Sequence, residues 1–577
     1  MNIEKIALDR FLDNYNKVQR VLLIKSPTLK YDTLDIKAHK KSGYMTYPPI
    51  EITTLAATLR EKLPDIDVKL YDAEYETLVS LYKGKKLENI LENSIKEELE
   101  NFKPDLVGIS INFSVAKANG LEILNMVKNY KKNILTVFGG VHSTFDFQDL
   151  MDKGADMVFL READNTFPDF IKYAKNRKLF DAGINGFVYK LDNEIKKIEY
   201  VAPPKFEDLP TPAWDMIDLP NYYKVSSLCL VKNETGASQP SAIIQTLRGC
   251  VAKCTFCSVR NFNGFGVRTR RVKDVVDEIE LFVNEYGIKF IEVVDDDFTA
   301  DVPRAIEICK EIIKRKLDVT WSLDNGIRLG TITEELAENL VASKCAMISI
   351  GIESGNKEIL HRIKKPITLP ILYKKMKMMA QYPEIYIKAN FIVGFPFENY
   401  NQLQDTFKVA SELDFDWSIF SIYSPLIGTD AMNQYDESTQ QKIANNESNF
   451  GSIEFVPDGF KSKSDFENSV YLNNLRCNFV NNPNLNGRRN GVERAIKDFE
   501  RVITTTDKTH AVALYLLSKM SDQIGVEKAK QYKKDYLKIL RDSEKWNYFF
   551  DELGLKDTPI QKKDFSFEEF RAGREMD

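Results

Sequence analysis

Three closely spaced cysteines in the run RGCVAKCTFCSVR have the clearest chemical meaning in this sequence. Three residues separate Cys250 from Cys254, and two separate Cys254 from Cys257. Clustered thiolates bind iron–sulfur cubanes, whereas a structural zinc site normally needs a fourth ligand, which no nearby Cys or His supplies here. Three ligands for four irons leave one iron open. The triad therefore predicts a 4Fe–4S cluster that can bind a small molecule.

The composition excludes several other kinds of site and partner. The 577-residue chain is 43% apolar and 29% charged with a net charge of -5, so no nucleic-acid partner is indicated. No apolar run reaches the roughly 18 residues that a membrane span requires, and the charged N-terminus lacks a signal peptide. We therefore expect a cytoplasmic protein. Only four histidines are present, which makes a multi-histidine metal site very hard to assemble.

The elements that must position the cysteines are two series of alternating strands and helices. The first follows an N-terminal extension (1–18) and occupies 19–200, with strand-like runs at 21–26, 67–73, 105–112, 134–140 and 156–160. Short apolar strands separated by amphipathic helices predict a parallel, doubly wound, Rossmann-like α/β domain. Ligands of such sheets bind at the carboxyl ends of the strands.

The second series follows a proline-rich linker at 201–240 and occupies 241–430. Its predicted strands are 241–247, 289–297, 319–325, 346–354, 385–395 and 417–426. Six βα units with right-handed crossovers predict a partial (βα)6 TIM-like barrel, whose active residues lie at the carboxyl ends of the strands. Residues 431–577 lack strand patterns and predict an α-helical C-terminal domain with one TPR-like helix pair.

The cysteine spacing at a strand end resembles the radical S-adenosylmethionine (SAM) superfamily. That resemblance implies that the open iron binds the amino and carboxylate groups of SAM, and that one electron cleaves SAM to a 5′-deoxyadenosyl radical. An electron donor such as flavodoxin or ferredoxin is then an implied partner. The resemblance also implies SAM-binding residues near the cluster and at the strand ends: Phe256, Arg268, Asp295, Asp296, Glu353, Ser354, Gly394, Phe395 and Pro396.

The front domain resembles the cobalamin-binding domain of one subgroup of these enzymes, through the runs TYPPIEITTLAATL, GISIN, FGGVH and FLREADNTF. The implied cobalamin-binding residues are Tyr47, Pro48, Pro49, Ser110, Asn112, Gly139, Gly140, Val141, His142 and Glu162. No Asp-x-His-x-x-Gly motif occurs, so histidine ligation of cobalt is not indicated, and His142 is expected to touch the nucleotide tail. A dinucleotide is disfavoured because KSPTLK follows the first strand in place of G-x-G-x-x-G. FLREADNTF departs from the family in having Arg161 and Ala163 where glycines are usual.

The resemblance is greatest to class B radical SAM methyltransferases, which methylate unactivated carbons. Relatives with the same architecture cyclise or rearrange substrates without methyl transfer, and no motif separates the two outcomes. A methylthiotransferase is disfavoured because no cysteine precedes Cys229. A non-enzymatic cobalamin sensor would leave the cysteine triad and the barrel unexplained. The substrate is not indicated, although Arg488 and Arg489 are candidates to contact an anionic one if they do not form a solvated turn.

Overall fold

The described part of the chain forms two large β-sheets with helices on their faces, followed by a group of helices. The computed structural model describes residues 3–29, 34, 46–86, 89–177, 184–225, 239–445, 456–485, 487, 489 and 491–555. Within these residues, no helix is long and apolar enough to cross a membrane.

The front sheet has seven strands in the spatial order β2-β1-β3-β4-β5-β6-β7. They are β1 (Arg20–Lys25), β2 (Asp67–Asp72), β3 (Leu106–Ser110), β4 (Leu135–Gly139), β5 (Met157–Phe159), β6 (Phe187–Leu191) and β7 (Glu194–Ile198). The first five are parallel, as the sequence predicts, but β6 and β7 form an antiparallel edge. The five predicted strands are therefore confirmed as parallel, and the antiparallel edge was not predicted. The hairpin turns on Asp192 and Asn193, whose φ angles of 52° and 61° suit a two-residue turn.

Helices cover both faces of the front sheet. They are Ile3–Leu12, Ile50–Lys62, Ala73–Tyr82, Ile90–Phe102, Lys117–Tyr130, Val141–Phe145, Phe147–Asp152 and Thr166–Lys175. The first of them lies in the predicted N-terminal extension, and its Leu8, Phe11 and Leu12 are buried in one of the two cores of this sheet. These three residues lie on one helical face because Phe11 and Leu12 follow Leu8 by three and four positions.

The linker between the sheets is held by both of them. Its described residues form three short 3₁₀ turns, Phe206–Asp208, Trp214–Met216 and Leu219–Lys224. The Ala213 amide donates to the Thr53 carbonyl of the front domain at 3.0 Å. The Trp214 indole is buried and donates to Glu278 of the barrel at 2.7 Å. The linker therefore fixes the front domain against the barrel.

The second sheet has six parallel strands in the order β15-β14-β13-β12-β11-β8. Its strands are β8 (Ser241–Ile244), β11 (Phe290–Val293), β12 (Thr320–Ile327), β13 (Cys345–Glu353), β14 (Tyr386–Val393) and β15 (Trp417–Ile422). Between β8 and β11 in sequence, β9 (Leu247–Arg248) and β10 (Arg268–Thr269) form a separate antiparallel pair. The helices of this domain are Val259–Asn263, Val272–Asn284, Val302–Lys314, Glu334–Ala342, Lys357–Arg362, Leu369–Met379 and Tyr400–Glu412. The six predicted βα units are confirmed, and β8 and β15 end the sheet without pairing to each other.

The C-terminal region is helical, as predicted. Its α-helices are Glu437–Ala444, Lys463–Leu475, Val492–Arg501, Ala511–Ser518, Ser521–Ile524, Val526–Asp542 and Glu544–Glu552, with π-helical turns at Arg476–Val480 and Val502–Thr506. Asn478, in the first π turn, donates to the Ser418 carbonyl and accepts from the Ser418 amide, both at 2.7 Å. Because Ser418 lies on β15, this side chain takes the place of a neighbouring strand at the edge of the barrel.

Arg489 belongs to the core of this region rather than to a substrate site. Its guanidinium is buried and pairs with Asp416, just before β15, at 3.1 Å. The hypothesis that Arg489 contacts an anionic substrate was therefore wrong, because that charge is already neutralised inside the protein. Arg488 lies outside the described residues.

Candidate active site

The cysteine loop begins where β9 ends and is held along its length by backbone contacts. Gly249, next to Cys250, has a φ of +90°, and a Cβ there would lie 2.3 Å from the Gly266 carbonyl oxygen. Only glycine fits this position without a shift of the backbone. The Thr255 amide donates to the Ile363 carbonyl at 3.1 Å, and the Thr255 carbonyl accepts from Ala431 at 2.9 Å. These contacts fix the shape of the loop.

The three thiols of the predicted cluster site lie together on the cysteine loop. All three cysteines are partly exposed, and burial raises the pKa of each thiol, that of Cys254 to about 11. Among the residues that the structure describes, no group of three or more His, Cys, Asp or Glu side chains is placed to hold one metal ion. A cubane binds each thiolate at a separate iron, so its ligands need not converge.

Two acidic residues after β11 accept hydrogen bonds from the backbone at the start of the cysteine loop. Asp295 is buried and accepts from the Leu247 amide at 2.9 Å, and burial raises its pKa to about 6. Asp296 accepts from the Gly249 amide at 2.6 Å and from the Asn263 side chain at 2.8 Å. Both residues were predicted to bind SAM, and the structure places both against the segment that begins the cysteine loop.

The other predicted SAM residues lie at the ends of β13 and β14. Glu353 pairs with Lys365 at 2.8 Å, and Ser354 is fully buried and accepts from the Asn356 amide at 3.1 Å. The turn of Gly394, Phe395 and Pro396 follows β14. Its conformation is held by Glu398, which accepts from the Gly394 amide at 2.6 Å.

Phe256 of the cysteine loop reaches this turn. Its ring centroid is 6.2 Å from that of Phe395, which also packs against Tyr423 at 4.9 Å. The predicted SAM residues other than Arg268 therefore surround the cysteine loop at the carboxyl ends of the barrel strands.

A cavity opens between the front sheet and the cysteine loop. It encloses about 1220 Å³ of space, including its open mouth. Its floor is apolar and includes Leu23, Val137, Phe159 and Phe167. Its barrel wall includes Asp296, so the cavity reaches the segment that precedes Cys250. A flat, large ligand could therefore lie on the front sheet while facing the barrel.

Six of the ten predicted cobalamin residues line this cavity: Ser110, Asn112, Gly139, Gly140, Val141 and Glu162. A Cβ on Gly139 would meet no atom within 4 Å, so the backbone there is open to a ligand. Tyr47, Pro48 and Pro49 do not line the cavity. They precede the helix Ile50–Lys62, whose first turn contributes Glu51, and burial raises the pKa of that carboxyl despite nearby Lys25.

His142 does not line the cavity, so the expected contact with a nucleotide tail is not supported by its position. Its side chain is fully buried, with Nδ1 3.1 Å from the Ser114 hydroxyl and Nε2 3.1 Å from Asp146. Both ring nitrogens are therefore engaged within the protein. Among the described residues, the cavity wall contains no histidine.

Glu162 and Arg268, assigned by sequence to two different cofactors, are bonded to each other across the domain boundary. Arg268 donates to Glu162 at 3.0 Å, and buried Arg248 donates to Glu162 at 2.9 Å and to Asp164 at 2.7 Å. Burial lowers the pKa of Arg248, but Asp164 and Glu162 outweigh it and hold the pKa above its usual range. We call these four residues the interdomain lock. It connects the front domain to Arg248, two residues before Cys250.

Two contacts stabilise Arg161, one of the residues at which FLREADNTF departs from the family pattern. Arg161 has a φ of +60°, so this non-glycine residue adopts the left-handed backbone that glycine would adopt more easily. Its amide donates to Thr144 at 2.7 Å, and its guanidinium lies 5.6 Å from the centre of the Tyr200 ring. These contacts stabilise a conformation that costs about 1 kcal/mol or more.

The residues of the barrel that face the front domain were not predicted from the sequence. They follow the cysteines directly and include Ser258, Val259, Phe262 and Asn263. The mixture of aromatic and amide side chains in SVRNFN, so close to the cluster loop, was the available signal.

Comparisons with known proteins identify both domains. Residues 244–410 match the Radical SAM superfamily, and residues 40–171 match the B12 binding domain. An uncharacterized methyltransferase of Pyrococcus horikoshii is 30% identical over 421 residues, which cover 72% of this chain and 82% of the relative. The cytidylyl-2-hydroxyethylphosphonate methyltransferase of Streptomyces wedmorensis is 26% identical, with coverage of 59% and 68%. The anaerobic magnesium-protoporphyrin IX monomethyl ester cyclase of Rubrivivax gelatinosus is 26% identical, with coverage of 61% and 62%.

Solved structures share the fold. The cobalamin-dependent SAM radical enzyme OxsB, with aqua-cobalamin and SAM bound, aligns with a TM-score of 0.59 and 17% identity, over 97% of this chain and 84% of that one. The radical SAM methyltransferase TsrM from Kitasatospora setae, with cobalamin and a [4Fe-4S] cluster bound, aligns with a TM-score of 0.55 and 17% identity, over 72% and 77%.

The chain therefore belongs to the radical SAM superfamily, among the members that carry a B12 binding domain. Within that class it is a cobalamin-dependent radical SAM enzyme with methyltransferase-like homologues.

Proposed function

We propose that this enzyme methylates an unactivated carbon of its substrate. Cys250, Cys254 and Cys257 would hold the 4Fe–4S cluster, and Ser110, Asn112, Gly139 and Gly140 would contact cobalamin. When bound, the cluster would supply the electron that cleaves SAM to a 5′-deoxyadenosyl radical, and cobalamin would carry the methyl group. The chain's own residues would position these groups on the apolar floor of the cavity.

The observation that carries this proposal is that one cavity is lined from both domains. Gly139 and Asn112 line it at the carboxyl edge of the front sheet, and Phe262, Asn263 and Asp296 line it from the barrel. Asp296 also accepts from the amide of Gly249, the residue before Cys250. A substrate in this cavity would lie between the cobalamin surface and the cluster, which is the placement that transfer of a methyl group to a radical carbon requires.

A second candidate is ring formation or rearrangement without methyl transfer. It is favoured by the similarity to the cyclase of Rubrivivax gelatinosus, although the chain spans only 62% of that protein. The same cavity would serve both reactions, so only the product distinguishes them.

Product analysis with labelled SAM tests the proposal. Protein reconstituted without oxygen should contain about four irons per chain. We would incubate it with cobalamin, a reductant, methyl-¹³C SAM and a small-molecule extract of its own cells. A product with ¹³C in a carbon-bound methyl group supports methylation, whereas 5′-deoxyadenosine with an unlabelled product supports cyclisation. Cys254→Ala is the control, and turnover by that variant would refute the mechanism.

A further inference from the structure

We infer that the ammonium of Lys365 raises the reduction potential of the cluster by acting on the thiolates of Cys254 and Cys257. Lys365 follows β13 and the helix Lys357–Arg362, and no cofactor contact was predicted for it from the sequence. It acts through the ligands and is therefore a positioning residue rather than a catalytic one. The inference rests on the proposed cluster, because it concerns the electron that the cluster must gain.

Lys365 is held against the cysteine loop by contacts of the two residues before it. The Thr255 amide donates to the Ile363 carbonyl at 3.1 Å. The Cys254 sulfur lies 3.9 Å from the carbonyl oxygen of Lys364, the residue bonded to Lys365. These contacts fix the backbone of Lys365 beside the central cysteine of the triad.

The side chain of Lys365 turns into the protein rather than toward water. It is only 14% exposed, and its ammonium donates to Glu353, at the end of β13, at 2.8 Å. A Cβ on Gly351 would lie 2.6 Å from that carboxylate and 2.9 Å from the ammonium, so this glycine leaves the space that both groups occupy. Glu353 has a φ of +70°, a left-handed backbone that residues with a Cβ rarely adopt. Such conformations persist only where the surrounding structure holds them, and they cluster at functional sites.

The ammonium acts on two of the three cysteine ligands. Burial raises the pKa of Cys254 to about 11, and Lys365 is the nearby charge that lowers this pKa most. Burial also raises the pKa of Cys257, and Lys365 again acts in the opposite direction. Burial disfavours the charged form of Lys365 itself, but Glu353 and Cys254 outweigh this effect and raise its pKa. Lys365 therefore remains a cation beside the ligands.

A cation beside Cys254 favours the reduced cluster. Cys250 accepts from the Ala252 amide at 3.4 Å, whereas the sulfur of Cys254 faces the Lys364 carbonyl, whose oxygen would repel a thiolate. The Lys365 ammonium offsets that repulsion. Reduction moves one electron from a one-electron donor to the cluster and breaks no bond in the chain, so the reduced cluster carries one more negative charge. A cation in a poorly solvated site stabilises the more negative form more, and local charge and hydrogen bonds to the sulfurs set the potential of such clusters.

Opposite charge changes in the ion pair test the inference. Lys365→Met removes the cation, Glu353→Gln removes the anion that offsets it, and Lys365→Arg keeps the cation. Lys128→Met is the matched control, because it removes a similarly buried ammonium that pairs with Asp156 at the amino end of the front sheet. Each full-length chain is reconstituted with iron and sulfide without oxygen, cobalamin or SAM, and its iron content is measured. The reduced cluster is then followed by electron paramagnetic resonance at a series of fixed potentials.

At the potential where the cluster of the unaltered protein is half reduced, the ratio of reduced to oxidised cluster should fall about tenfold in Lys365→Met, a shift of about 59 mV. The ratio should rise in Glu353→Gln and should match that of the unaltered protein in Lys365→Arg and Lys128→Met. A merely structural defect would not move the potential in opposite directions in the two halves of one ion pair.

An unchanged ratio in Lys365→Met at full iron content would overturn the inference, and so would a fall in Glu353→Gln. If Lys365→Met binds no iron, a rise in Glu353→Gln supports the inference, and a fall or no change overturns it. A failure of the unaltered protein to bind iron would instead refute the proposed cluster.

Discussion

Removal of Arg248 from the interdomain lock should lower the free energy of unfolding far more than removal of an exposed ion pair between the front domain and the linker. Arg248 is buried, and it donates to Glu162 and Asp164, which are also buried. In Arg248→Met, Glu162 keeps Arg268, but the Asp164 carboxylate loses the arginine that neutralises it. Breaking a buried pair in this way costs about 3–5 kcal/mol.

The matched control is Arg60, which pairs with Asp215 of the linker at 2.7 Å. These side chains are 44% and 59% exposed, so water screens the pair and Arg60→Met should cost only about 0–1 kcal/mol. The difference between the two variants should therefore be roughly 2–5 kcal/mol.

Urea unfolding measures this difference, with the first transition analysed because a chain of several domains need not unfold in one step. Asp164→Asn should recover much of the loss in the Arg248→Met background, since it removes the unpaired charge, and the double-mutant cycle isolates the coupling between the two residues. If Arg248→Met and Arg60→Met agree to within about 1 kcal/mol, the lock does not hold the domains and the reasoning from burial is wrong.

Three further predictions follow from the site. Burial raises the pKa of Glu398 from 4.5 to about 7, so the folded chain holds a proton that the unfolded chain releases and stability falls as the pH rises between these values. Glu398→Gln should remove that dependence and be more stable at pH 8 but not at pH 4, by urea unfolding. Gly140→Ala would place a Cβ 2.5 Å from the Ile111 carbonyl oxygen, whereas Gly154→Ala has a similar φ and open space. The first should abolish cobalamin retention and the second should keep it, and equal retention would contradict the assigned site. His142→Gln should lower stability but leave the absorbance spectrum of bound cobalamin unchanged, and a spectral shift would indicate cobalt ligation.

The strands, the barrel and the position of the cysteine loop could be predicted because they depend on local patterns. Apolar runs of four to eight residues at regular intervals identify parallel strands, and three cysteines after such a run identify a loop at the end of a strand. The antiparallel hairpin β6–β7 was missed, although Asp192 and Asn193 are residues that favour the left-handed backbone of a tight turn.

The contacts between domains could not be predicted from local patterns. Glu162 and Arg268 are separated by 106 positions, and nothing near either residue reveals that they meet. Cofactor contacts were expected for both residues because the motifs around them resemble those of the family. The same limit applies to Phe262 and Asn263, which face the front domain only because the whole barrel is docked against it. Long-range packing, rather than local secondary-structure propensity, determines what these residues contact.

The cover over β15 also has a consequence for how the chain is made. Asn478 satisfies the backbone of Ser418, yet it is synthesised 60 residues later. The ribosome adds about 5–20 residues per second, so the free edge of the barrel stays open for several seconds on every nascent chain. An open parallel edge can recruit strands from other chains. Chaperones that bind nascent chains should therefore bind this enzyme late in its synthesis. Chains that stop before residue 478 should aggregate.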